Sequence, residues 1–218
     1  MATVFIIGAT GGVGRRLGPL LVQSGHKVIG LHRKLEQATN LSEAGISPVQ
    51  GDIIKMSPKQ IAEAARDADV IVFSAGAAGS GIDRTTAIDG DGPIKAIEAA
   101  KLLGIVRLYL VSAFPEAYRQ KETADSFEHY MSEKKRADAA VAASGLDWII
   151  LRPGVLLNAE GEGTATMGPA IMDGSVARGT VARTLLALIE QPSVRREIIE
   201  LTDGPTPIKE AVASLRQS

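Results

Sequence analysis

Residues Val4 to Gly14 read V-F-I-I-G-A-T-G-G-V-G, an apolar run stopped by a glycine, with Gly8, Gly11 and Gly14 following at a fixed beat. This pattern leaves few folds open. Gly8 lets the chain turn sharply after a buried strand. Gly11 lets the backbone approach a phosphate with no Cβ in the way, and Gly14 lets the next helix lie close to the sheet. The free N–H groups and positive dipole end of that helix then face anions. Because a clean strand precedes the turn, a helix pattern (Arg15 to Ser24) follows, and a second strand (Lys27–Leu31) closes the unit, the pattern is a dinucleotide-binding turn in a βαβ unit. Its candidate ligands are Gly8, Thr10, Gly11, Gly12, Val13 and Gly14.

Apolar runs bounded by turn residues recur along the rest of the chain. Strands are expected at Thr3–Ile7, Lys27–Leu31, Ser47–Gln50, Val70–Ser74, Arg107–Val111, Trp148–Leu151 and Glu197–Leu201. Helix-patterned stretches lie between them: Val13–Gln23, Leu35–Ala44, Lys59–Arg66, Pro93–Leu103, one near Glu128–Ser144, then Thr180–Glu190 and a short one from about Pro207. Short all-apolar strands alternating with amphipathic helices imply an α/β fold, a Rossmann-like doubly wound parallel sheet with helices on both faces. Gly25, Gly45, Gly104 and Gly145 stand where C-terminal glycine caps belong. At 218 residues and 45% hydrophobic, the chain suits a single domain, 1–218, with residues 152–218 adding substrate-side loops.

Charge and composition narrow the partners. The net charge is −1 and aromatics are 4%, so neither nucleic acid nor a membrane is an expected partner. No run reaches membrane length and none reads as a signal peptide. The absence of cysteine excludes disulfides and thiolate catalysis and suits a cytoplasmic protein. Three scattered histidines give no metal site.

Further site candidates follow the strands. The second strand ends Leu31-His32-Arg33-Lys34, where an NAD-selective site places an acid. Arg33 there suits a 2′-phosphate, so NADP is expected over NAD, with NAD still possible. Arg15 is a second candidate phosphate ligand. Asp52 and Ile53 follow the third strand, where the adenine would lie, and Asp52 equally suits a cap on the following turn. Ser74, Ala75 and Gly76 are small enough to let a cofactor pass over the fourth strand. Ser112 ends the fifth strand. Tyr130 and Lys134, four apart, share a helix face. A phenol is a poor acid or base near neutrality, and a nearby ammonium lowers its pKa. Ser112 could then hold a substrate oxygen while Tyr130 transfers a proton.

With GATGGVG (8–14), LHR (31–33), GD (51–52), FSAG (73–76), LVSAF (110–114), YMSEK (130–134) and ILRPG (150–154) in order, the chain resembles an atypical short-chain dehydrogenase/reductase of the NmrA-like and epimerase-like branch. The resemblance implies a catalytic set of Ser112, Tyr130 and Lys134, with Lys134 also holding the nicotinamide ribose. It implies Pro153, Gly154 and Val155 as neighbours of the nicotinamide. The LVSAF stretch is also similar to small NADPH-dependent flavin and biliverdin reductases. No asparagine can be assigned to a proton relay, and the stretch between Ser112 and Tyr130 is long and polar. The expected function is an NADP-dependent oxidoreductase moving hydride between nicotinamide and a small carbonyl, quinone or flavin-like acceptor. A non-catalytic NADP-binding sensor and a nucleotide-sugar epimerase or dehydratase remain as alternatives, although the short segment after Leu151 argues against the last. The expected pocket walls are Phe114–Phe127 and Leu156–Met172.

Overall fold

Alternate residues of the first strand, β1 (Thr3–Ile7), face opposite sides of the sheet. Val4 and Ile6 enter one hydrophobic cluster, Phe5 and Ile7 another, and all are buried. A strand apolar on both faces needs a layer of helices on each side. The computed structural model, which describes residues 1–115 and 124–215, has that architecture.

After β1 the chain runs α1 (Gly14–Gln23), β2 (Lys27–His32), α2 (Gln37–Glu43), β3 (Ser47–Gln50), α3 (Pro58–Ala64), β4 (Val70–Phe73), α4 (Ile82–Thr85), a π-helical turn (Thr86–Gly90) and α5 (Asp91–Leu103). It continues through β5 (Arg107–Val111), α6 (Asp125–Ala142), β6 (Asp147–Pro153), β7 (Val155–Leu157), β8 (Thr164–Gly168), β9 (Ser175–Ala177), α7 (Arg178–Glu190), β10 (Glu197–Pro207) and α8 (Ile208–Ser214). The main sheet has the order β3-β2-β1-β4-β5-β6-β10-β8, parallel except for β8, which pairs antiparallel with β10. One face is covered by Leu17 and Leu21 of α1, Leu185 and Leu188 of α7 and Val212 of α8. On the other lie Ile61 of α3, Ile97 and Ala100 of α5, and Ala137 and Val141 of α6.

Each expected strand is present, and Gly25, Gly45, Gly104 and Gly145 all take positive φ after a helix. α3 starts with a reciprocal cap: Gln60 N donates to Ser57 Oγ, and Ser57 N donates to Gln60 Oε1. The segment after β6 adds strands that the polar sequence did not signal. β7 and β9 form a separate parallel pair, and β8 extends the main sheet. Among the described residues, no helix is long and apolar enough to cross a membrane. The strand order reverses between β1 and β4, so the segments that leave their paired carboxyl ends, Ile7 and Phe73, diverge, and ligands of open α/β sheets bind in the crevice at such a point.

Candidate active site

The glycine turn lies at that crevice. Gly8 has φ +95°, and a Cβ on it would stand 2.6 Å from Ala75 N, so the end of β4 admits no side chain there. A Cβ on Gly14 would run into the Gly8 carbonyl, which is the close helix–strand approach the spacing predicts. Gly11 differs, because its Cβ would meet only Gly8 O, at 3.2 Å, and otherwise the cavity. α1 starts with no side-chain cap. Among the described residues, the amides of Gly12 and Val13 donate to no acceptor. An uncapped helix start with free amides, facing a cavity, fits a phosphate group.

The cavity measures about 720 Å³. The structure brings together in its wall Gly8, Thr10, Gly11, Gly12, Val13, Arg33, Asp52, Ile53, Ser74, Ala75, Gly76, Ser112, Tyr130 and Lys134. Gly14 seats the helix behind that wall. Asp52 serves the turn as well, since Ile54 N donates to its Oδ1 at 3.0 Å. Arg15 lies outside the wall, with its Nη2 on Asn158 Oδ1 at 3.2 Å. Pro153, Gly154 and Val155 also lie outside it. Gly154 packs against the Gly174 carbonyl, and Val155 N donates to that carbonyl at 2.8 Å as β7 docks. Their neighbour Leu156 reaches the cavity instead. Of the expected walls, Ser126, Phe127 and Leu156 take part, and residues 116–123 lie outside the described residues. The loop Ala77–Gly81, α4, Asp89 and Arg178 also contribute to the wall.

Tyr130 and Lys134 project from one face of α6. Lys134 is buried, 4% exposed, and its Nζ stands 5.8 Å from the Tyr130 ring centroid. Nζ donates to Val111 O at 3.1 Å and lies 3.3 Å from Asp89 Oδ1. Asp89 is itself buried, with Oδ2 accepting from Ala77 N at 3.0 Å. A carboxylate therefore stands beside the lysine, where the sequence offered no asparagine. It arrives through the π-helical turn, whose extra residue re-aims the chain between α4 and α5. Lys134 lowers the Tyr130 pKa as expected, yet the net direction is upward. Burial raises it above the usual phenol value, Lys134 offsets only part of that, and Asp89 and Asp138 push it further up.

Ser112 Oγ is buried and lacks a well-aligned partner, as does Asp138 Oδ1. Burial raises the Asp138 pKa, and the nearby Ser112 hydroxyl and Arg152 oppose that. Arg152 holds the carboxylate through Nη2 at 2.9 Å and Nε at 3.0 Å. Sequence reasoning missed Asp89, Asp138, Arg152 and Arg178. Only Asp138 carried a signal, lying one helical turn beyond Lys134. His129 is half-buried and bonds Thr86 Oγ1 at 2.8 Å, tying α6 to the π turn.

Residues 8–192 match the profile of a family described as NAD(P)H-binding. The Bacillus subtilis protein YhfK, described as an uncharacterized sugar epimerase, is 39% identical over 97% of this chain and 99% of its own. A Bacillus halodurans structure provisionally described as an NAD-dependent epimerase/dehydratase is 32% identical, with a TM-score of 0.90 over 98% of this chain and 100% of that one. An anaerobilin reductase from Escherichia coli O157:H7 is 26% identical, with a TM-score of 0.78 over 94% of this chain and 100% of that one. These neighbours agree with the resemblance to atypical short-chain dehydrogenases/reductases.

Proposed function

The chain belongs to this NAD(P)H-binding family, and from that premise we propose that it is an NADP-dependent oxidoreductase that reduces a small carbonyl, quinone or flavin-like acceptor. The observation that carries the proposal is convergence. The phosphate-type turn, Arg33, and the set of Ser112, Tyr130 and Lys134 line one cavity. Its volume is in the range of sites for one cofactor-sized ligand and a small partner.

Bound nicotinamide supplies the hydride. Tyr130, kept protonated by burial, donates the proton to the acceptor oxygen. The Lys134 ammonium, fixed by Val111 O and Asp89, stabilises the phenolate left behind. The Ser112 hydroxyl, free of a well-aligned partner, holds the acceptor oxygen. Arg33 supports the NADP form. It lines the cavity at the end of β2 and has no carboxylate partner among the described residues. Epimerase is part of the name of two relatives. The reductive reading is preferred because the Tyr130 phenol, kept protonated, and the Ser112 hydroxyl line the same cavity and suit protonation of an acceptor oxygen.

The test is oxidation of NADPH and NADH against a panel of aldehydes, quinones and flavins, repeated with Arg33→Ala. Turnover with NADPH at least about tenfold above NADH, lost in Arg33→Ala, is expected from a contact of about 1.5–3 kcal/mol. Tight NADPH binding with no turnover across the panel would favour the sensor.

A further inference from the structure

Gly12 is not part of the beat at residues 8, 11 and 14, yet the structure gives it a reason to be glycine. A Cβ there would stand 2.6 Å from both Cδ and Nε of Arg178. Arg178 is the first residue of α7, far away in sequence. Its side chain therefore lies across the glycine turn, in the wall of the same cavity.

The charge of Arg178 is not spent elsewhere. Its Nη1 donates to Leu156 O at 3.1 Å, and among the described residues it has no carboxylate partner. The neighbouring arginines are engaged. Arg16 pairs with Glu160 at 2.7 Å and donates to Gly12 O at 2.7 Å, and Arg15 bonds Asn158. Arg178 thus holds a guanidinium, anchored by one nitrogen, beside the Gly12 and Val13 amides that lack acceptors. Guanidinium and free amides together suit a doubly charged pyrophosphate, since arginine donates in a planar fork to phosphate oxygens.

We propose that Arg178 is a ligand of the cofactor pyrophosphate, and that Gly12 stays free of a side chain to admit it. The inference rests on the dinucleotide reading of the cavity. It adds a phosphate contact from α7, on the segment that follows β6, to those of the turn before α1.

Calorimetric titration with two probes tests it. NADPH carries the pyrophosphate, whereas adenosine 2′-monophosphate carries the adenosine end and the 2′-phosphate without it. Arg178→Ala should weaken NADPH on the order of tenfold to a hundredfold and leave adenosine 2′-monophosphate unchanged. Arg178→Lys should recover part of the loss, which a purely structural role would not predict. Gly12→Ala should weaken NADPH similarly by displacing Arg178, and the two alanine substitutions together should cost less than their product. Wild-type NADPH affinity in Arg178→Ala would overturn the inference while leaving the dinucleotide reading intact. Equal loss of both probes in Arg178→Ala would overturn it too, by showing a collapsed cleft rather than a lost contact. Full additivity would refute the role given to Gly12. A wild-type protein binding neither probe, nor NADH, would overturn the dinucleotide reading and this inference with it.

Discussion

The half of the molecule that ends with β5 and the segment between β6 and α7 are held together by different forces. In the first, strands of apolar residues lie in parallel register, and left-handed glycines such as Gly8, Gly25 and Gly104 mark the turns. In the second, short strands hang on polar cross-links from distant parts of the chain. Arg16 reaches Glu160, Arg178 reaches Leu156 O, and Arg183 reaches Glu160 O. Ala177 N and Thr180 Oγ1 both donate to Asp203. Burying a large apolar side chain contributes about 1.5–3 kcal/mol, whereas an exposed ion pair contributes about 0–1 kcal/mol. The cofactor half is therefore fixed by packing. The segment after β6 is fixed by contacts that are weaker one by one, and such a rim can change its lining without loss of the fold.

The largest effect should appear at Tyr130 of α6, between the two regions in sequence. Removing its phenolic oxygen in Tyr130→Phe should lower turnover by ~10²–10⁴-fold with melting temperature and cofactor affinity little changed. Full activity would mean that the acceptor needs no proton from the protein, as with a flavin. The pH profile sharpens the assignment. Reduction needs the protonated phenol, which persists below its pKa and is lost as pH rises through it. Because burial holds that pKa above the ordinary value of about 10, reduction should show no Tyr130-dependent decline until the pH exceeds about 10. The reverse oxidation, which needs phenolate, should rise toward alkaline pH. An alkaline midpoint near neutrality for reduction would show that Lys134 overrides burial once ligands are bound.

A smaller effect separates packing from binding within the glycine turn. A Cβ on Gly14 meets the Gly8 carbonyl, so Gly14→Ala should destabilise the fold by about 3 kcal/mol, the upper range for overpacking. For a chain of this size that is a fall of about 6–12 °C in melting temperature. Gly11→Val should stay folded, because its side chain enters the cavity, and should lose NADPH binding. Circular dichroism and fluorescence titration on both variants decide it. Tight binding by a folded Gly11→Val protein would show the phosphates to be elsewhere.

How much of this was legible follows the same division. β1 and β5 were read to their ends because their apolar runs carry their own signal, whereas β3, mostly exposed, was placed by Gly45 and Gly51 on either side of it. The π turn at Thr86–Gly90 was not, because its polar residues have no helical or strand period. Asp89 was missed with it. β7, β8 and β9 were unread because residues 158–168 are rich in glycine, threonine and glutamate and the strands find partners through non-local bonds. Tyr130 and Lys134 were legible from helical spacing, but the dominance of burial at Tyr130 depends on what packs around α6. Arg178 carried no local signal, since only the folded chain sets it against Gly12.

The smallest expected effect tests the rim. Glu160 is mostly exposed, with 67% of its side chain accessible, while Arg16 is nearly buried at 11%. Their contact at 2.7 Å ties α1 to the loop after β7, yet Arg16 does not depend on it alone. Arg16 also donates to Gly12 O and to Asn158 Oδ1, so losing Glu160 leaves no stranded charge. Glu160→Ala should therefore cost no more than about 1 kcal/mol, a fall of about 2–4 °C in melting temperature. Added salt should shrink that difference, as it does for exposed pairs. NADPH affinity should change by less than about threefold, the equivalent of a few tenths of a kcal/mol. A drop of 10 °C, or a large loss of affinity, would break the division: the rim would then be part of the packed structure that shapes the glycine turn.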